Sequence, residues 1–152
     1  MVTRASYIAE ADAFCKKSNA QAKNLNERAQ DAVKDQPDDI AILTALAPLL
    51  KQGLAAQVAR TKEFAAIPSP PGDSATVDRL KGAFSQRNTL LRMLADAAAQ
   101  RDVKQFSSIT AQQARLTKRV QRITRAYGLK ECGSRKNEAD PAPAAGQAGR
   151  TD

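Results

Sequence analysis

Histidine and tryptophan are absent from this chain of 152 residues, cysteine occurs only twice, and aromatic residues make up 4%. Without histidine there is no ordinary neutral-pH general base, no imidazole metal ligand and no Ser-His-Asp or Cys-His nucleophile. Cys15 and Cys132 are too far apart for a CxxC pair or a zinc ligand set. The carboxylate pairs Glu10/Asp12 and Asp38/Asp39 are too few for a ferritin-like metal site, which also needs Glu-x-x-His. No catalytic, cofactor-binding or metal-binding residue can therefore be nominated, and the expectation is a protein that is not an enzyme. Long apolar runs are also missing. No stretch approaches the roughly 20 apolar residues of a membrane span, and Met1-Val2-Thr3-Arg4 leads into helical pattern without the apolar segment of a signal peptide.

What remains is alanine and helical periodicity. Hydrophobic residues reach 42%, much of it Ala, the best helix former, while scattered β-branched residues disfavour a sheet. A first helix is expected over about Arg4 to Asp35, with the stripe Ile8, Ala11, Cys15, Ala22, Leu25, Ala29 and Val33. Gln36-Pro37-Asp38-Asp39 ends it. A second spans about Asp39 to Ala66, with Pro48 on its outer face predicting a kink. Ile67-Pro68-Ser69-Pro70-Pro71-Gly72-Asp73 is the clearest break, with Asp73 or Ser74 as the next N-cap. The third helix, about Ala75 to Gln100, uses Val77, Leu80, Phe84, Leu91, Leu94 and Ala98. After a tight Gln100-Arg101-Asp102 turn, the fourth covers about Val103 to Tyr127, and Gly128 fits a left-handed C-cap with Leu129 packing back. From Ser134 onward the composition is Pro, Ala, Gly and charge without periodicity, which reads as a disordered tail. The predicted fold is all-α: an antiparallel up-down-up-down four-helix bundle over 1–133, followed by the tail 134–152.

That topology makes the cysteines informative. Cys15 lies on the apolar stripe of the first helix and Cys132 just beyond the fourth, so an antiparallel bundle brings the two sulfurs within reach. A disulfide closing so long a loop stabilises by about 4–5 kcal/mol in the chain-entropy model. Disulfides persist in oxidising compartments. The expected location is therefore extracytoplasmic, secreted or membrane-anchored, with the export signal lying outside this sequence. The alternative is a cytosolic chain with free thiols.

The net charge of +8 is uneven. Residues 1–75 are balanced, residues 76–130 carry an excess of nine positive charges, and residues 131–152 are slightly acidic. Arg115, Lys118, Arg119, Arg122 and Arg125 recur every three or four residues with no acid among them. They form a ridge about 15 Å long, centred roughly 120° from the Leu116/Val120/Ile123 stripe. It suits an anionic partner: a phosphate-rich cell-wall polymer, an acidic membrane surface, an envelope protein or nucleic acid. Nucleic acid is disfavoured, because no aromatic residue interleaves the ridge to stack on bases. The competing reading is a solvated face whose cations complement the helix dipole.

Arg87 and Asn88 interrupt the third stripe, at nearly the height of Ser18, Gly53 and Gln113. A polar layer around a small-ligand cavity of roughly 300 Å³ or more is one reading. The plainer one has Arg87 running out along the bundle edge while Asn88 and Gln113 hydrogen-bond.

Three segments together, Ala11-Asp12-Ala13-Phe14-Cys15, Pro70-Pro71-Gly72-Asp73 and Ala126-Tyr127-Gly128 through Cys132-Gly133, resemble those of small exported, alanine-rich helical bacterial envelope proteins of the lipoprotein-like kind. The resemblance covers about residues 5–133. It implies export, one disulfide and a helical bundle, and it carries no catalytic residues. The function it leads to is a non-catalytic envelope binding or structural module with a basic face on the third and fourth helices. The alternatives are a cytosolic nucleic-acid-associated protein and a small-ligand carrier.

Overall fold

The computed structural model describes residues 1–133; the expected tail, 134–152, lies outside the described residues. Four helices follow one another: α1 (Arg4–Val33), α2 (Asp39–Ala65), α3 (Ser74–Ala99) and α4 (Val103–Tyr127). Among the described residues there is no strand, and the all-α bundle is as expected.

The ends follow local chemistry. The Asp38 carboxylate accepts from the Ala41 amide at 2.8 Å and the Asp102 carboxylate from the Gln105 amide at 3.0 Å, each satisfying a first-turn donor. At the far end of α4, Gly128 takes φ 103°, a conformation that costs glycine nothing. The Leu129 amide then reaches the Thr124 carbonyl at 2.9 Å and the Gly128 amide the Arg125 carbonyl at 3.3 Å. These are the two bonds of a Schellman cap, and Leu129 is buried, as the sequence suggests. Pro48 is exposed and α2 continues through it.

Asp73 sits at the N-cap of α3, as expected, but its side chain makes no capping bond. It is turned elsewhere, accepting from the Tyr127 hydroxyl at 2.9 Å and lying 4.0 Å from Arg4. By length and composition α2 is also apolar enough to cross a membrane. Leucine and alanine raise its average although Thr44, Lys51 and Gln52 interrupt any unbroken run.

The packing is a chain of neighbours. α1 packs on α2, α2 on α3 and α3 on α4, with a weak diagonal contact between α2 and α4, while the α1 and α4 helices do not close on each other. Buried residues follow the same pattern. α3 contributes eight, from Val77 to Ala98. α1 contributes only Tyr7, Ala11 and Cys15 near its start and Val33 at its end. Its middle reads Lys16-Lys17-Ser18-Asn19-Ala20-Gln21-Ala22-Lys23-Asn24, which offers little to bury. The stripe residues Ala22, Leu25 and Ala29 face inward but are only half-buried.

The start of α1 is tied to the end of α4 instead. Cys15 and Cys132 are disulfide-bonded, with Cα atoms 5.1 Å apart. The Asp12 carboxylate accepts from the amides of Lys130 (3.0 Å), Glu131 (2.9 Å) and Cys132 (3.4 Å), and the Asn19 amide donates to the Glu131 carbonyl. Arg4 donates to the Tyr127 carbonyl at 2.9 Å, with its guanidinium 4.5 Å from that ring's centre. Tyr7, fully buried, meets Tyr127 edge-on at 6.0 Å.

Candidate functional site

Two features stand apart from the packing of the core. The first is the basic ridge. Leu116, Val120, Thr124 and Tyr127 turn one face of α4 into the core. The helical period then leaves Arg115, Lys118, Arg119, Arg122 and Arg125 on the other side, all exposed. None of the five forms an ion pair with an acid among the described residues. The Arg119 guanidinium donates to the Gln86 side-chain carbonyl, which holds that part of the ridge against α3.

The second is a cleft of about 530 Å³ where α1 and α4 fail to meet, open on one side. Three sequence-nominated residues line it, Ser18, Arg87 and Gln113, together with Lys118 from the ridge. Asn88 instead accepts a hydrogen bond from the Thr61 hydroxyl at 3.1 Å, joining α2 to α3. Gly53 faces α1, where an added Cβ would come within 2.9 Å of Leu25, so glycine allows that close approach. Arg87 does not run free along the bundle edge: it is half-buried, with its guanidinium 5.8 Å from the centre of the Phe84 ring.

Sequence reasoning missed Arg60. On α2 it follows Gly53 and Gln57 and precedes Phe64, a spacing of three and four that places it on the inward stripe. One guanidinium nitrogen donates to the Gln57 carbonyl at 3.1 Å, while Nε is shut away from solvent without a partner. Burial pushes the guanidinium below its ordinary pKa, with the nearby Glu63 charge opposing. Among the described residues, the cleft wall holds Arg60, Arg87 and Lys118 and no Asp or Glu.

Beside it lies a second hollow of about 270 Å³, lined by leucines of α1, α2 and α3 and by Phe106. The two share Gln57, Arg60, Leu91, Thr110 and Gln113, so they form one trough with a cationic part and an apolar part. Among the described residues no group of three or more acidic or cysteine side chains converges as a metal site would require. No family model matches the chain, and no match to it is found among curated proteins or solved structures.

Proposed function

We propose that this chain is a non-catalytic binding module of the cell envelope, working outside the cytoplasm, which docks on an acidic membrane surface through its basic ridge. The observation that carries the reading is the set of five exposed cations over residues 115–125 without an acidic partner among the described residues. Packed side by side they repel one another, and folding gains little from placing them there. An acidic lipid surface offsets the repulsion and contributes about 1 kcal/mol per cation near it. The bonded Cys15–Cys132 pair supports the oxidising compartment.

The test is co-sedimentation with phosphatidylglycerol vesicles at low salt. The parent is retained and released as salt rises. The triple variant Arg119→Gln, Arg122→Gln, Arg125→Gln loses retention with helicity unchanged. Equal retention on neutral vesicles would point to the apolar face of α2, and retention on wall polymer or DNA alone would replace the membrane as partner. Protein extracted under thiol-blocking conditions should carry no free thiol; two free thiols would place it in the cytosol.

A second reading, a small-ligand carrier, is favoured by the trough between α1 and α4.

A further inference from the structure

We infer that the apolar hollow of about 270 Å³ is a binding site for a small uncharged molecule with a hydrocarbon body, such as a medium-chain alcohol. This gives the small-ligand reading its chemistry, and it does not depend on membrane docking through the ridge.

The sequence sets up the hollow. The inner stripe of α1 thins to Ala22, Leu25 and Ala29 in its middle, so small side chains stand where bulky ones would fill the space. Against α2 the hollow is closed, because Gly53 lets Leu25 come so near that an added Cβ would stand 2.9 Å from it. Leu49 and Leu50 of α2, Leu94 of α3 and Phe106 of α4 make the remaining walls. Every helix of the bundle therefore contributes to the lining. Leu25, Leu49 and Leu50 are only half-buried, although Leu94 and Phe106 opposite them are buried.

Size and lining choose the occupant. A helix with its side chains is about 10 Å across, too wide for such a hollow, so another protein chain does not fit as a helix. An apolar cavity of about 150 Å³ stays dry and takes up benzene, so one of about 270 Å³ suits a hydrocarbon body up to about twice that size. Water gains little among leucine and phenylalanine side chains, and an empty hollow forfeits the dispersion contacts of its lining. A hydrocarbon chain restores those contacts and covers the half-buried leucines. The polar groups gather where the hollow meets the cleft: Asn26, Gln57, Thr110 and Gln113 line both. Their amides and hydroxyl offer donors and acceptors to an uncharged end such as a hydroxyl. A charged head carried into this lining would leave water at high cost, whereas a hydroxyl exchanges one hydrogen bond for another.

The experiment is calorimetric titration of the full, disulfide-intact chain with hexanol, octanol and decanol, and with decanoate for comparison. Saturable one-to-one binding of the alcohols is expected, tightening about threefold to fourfold per added methylene until the hollow is full. Ala29→Leu pushes a branched side chain into the hollow and should weaken octanol at least about tenfold, by displacing several of its methylenes. Its thermal midpoint should not fall, because filling an apolar void does not cost stability. If that variant does not fold, Leu50→Gln, which sets an amide in the wall, carries the same test. The ridge triple variant should bind octanol as the parent does, so loss of vesicle docking and loss of ligand binding are read separately. No saturable binding, affinity independent of chain length, or unchanged affinity in both Ala29→Leu and Leu50→Gln would each overturn the inference. Decanoate bound more than about tenfold tighter than decanol would assign the site to an acid and overturn it too. So would faster hydrogen exchange in residues 134–152 on adding octanol, since the chain's own terminus would then be the native occupant.

Discussion

The seam between α3 and α4 and the seam between α1 and α4 solve the same problem in opposite ways. The first is packed along its length: Leu80, Phe84, Leu90 and Leu94 of α3 and Phe106, Ile109, Leu116 and Val120 of α4 are all buried. The second is held at one end by a disulfide, the Asp12 carboxylate and Arg4, and is open in the middle. Apolar burial closes a seam and leaves no room. Point ties hold two helices in register and leave a trough between them. The comparison teaches that the bundle opens where its hydrophobic pattern runs out.

The largest effect should come from removing the covalent tie. Replacing Cys15 and Cys132 with Ser is expected to cost about 3–5 kcal/mol in urea unfolding, as a loop of this length implies in the chain-entropy model. A loss well under about 1 kcal/mol would mean α1 is held by packing after all. Next come paired truncations. Leu80→Ala in α3 should cost about 2–5 kcal/mol, and Leu25→Ala in half-buried α1 no more than about 1 kcal/mol. Equal costs would erase the difference between the seams.

Asp12→Ala should follow at about 2 kcal/mol, since three backbone amides lose a charged acceptor. Asp12→Asn should recover part of that loss.

The order of elements and their ends were legible because they rest on local chemistry. Period-3.6 stripes, Pro37, the Pro68–Pro71 cluster and Gly128 each act within a few residues of themselves. The disulfide was legible because the antiparallel topology alone brings Cys15 beside Cys132. The polar layer was legible in Ser18, Arg87 and Gln113, which the structure does bring to one cleft. The opening of the α1/α4 seam was not. The inner stripe of α1 continues through Ala22, Leu25 and Ala29, and periodicity says which way these residues face without saying whether a partner arrives. The tertiary partners of Asp12 and Asp73 were missed for a related reason. Their partners, the amides of 130–132 and the Tyr127 hydroxyl, are distant in sequence. Asp73 looks like a helix cap, and a tertiary partner takes its carboxylate.

The smallest effects concern the two tyrosines of the tied end. Burial and the Glu10 charge push Tyr7 up to about 12, and burial followed by the bond to Asp73 pushes Tyr127 up to about 12. Both folded values lie above the ordinary one near 10, so their contribution is intact below about pH 10 and is lost as pH rises from there through about 12. Alkaline denaturation should therefore be less steep in Tyr7→Phe. That variant should also be as stable as the parent at pH 7 or up to about 1 kcal/mol more so, because the Tyr7 hydroxyl is buried without a partner. A clear destabilisation at pH 7 would show that the hydroxyl is satisfied.

The central claim, that α1 is tied at one end and left unpacked against α4 in its middle, is tested most directly by native-state hydrogen exchange on the oxidised and reduced chain. The account predicts that amides of residues 16–29 exchange faster than those of residues 80–94 in the oxidised protein, and that reduction speeds the α1 amides further while α3 changes little. Uniform protection across α1 and α3, unchanged by reduction, would contradict it.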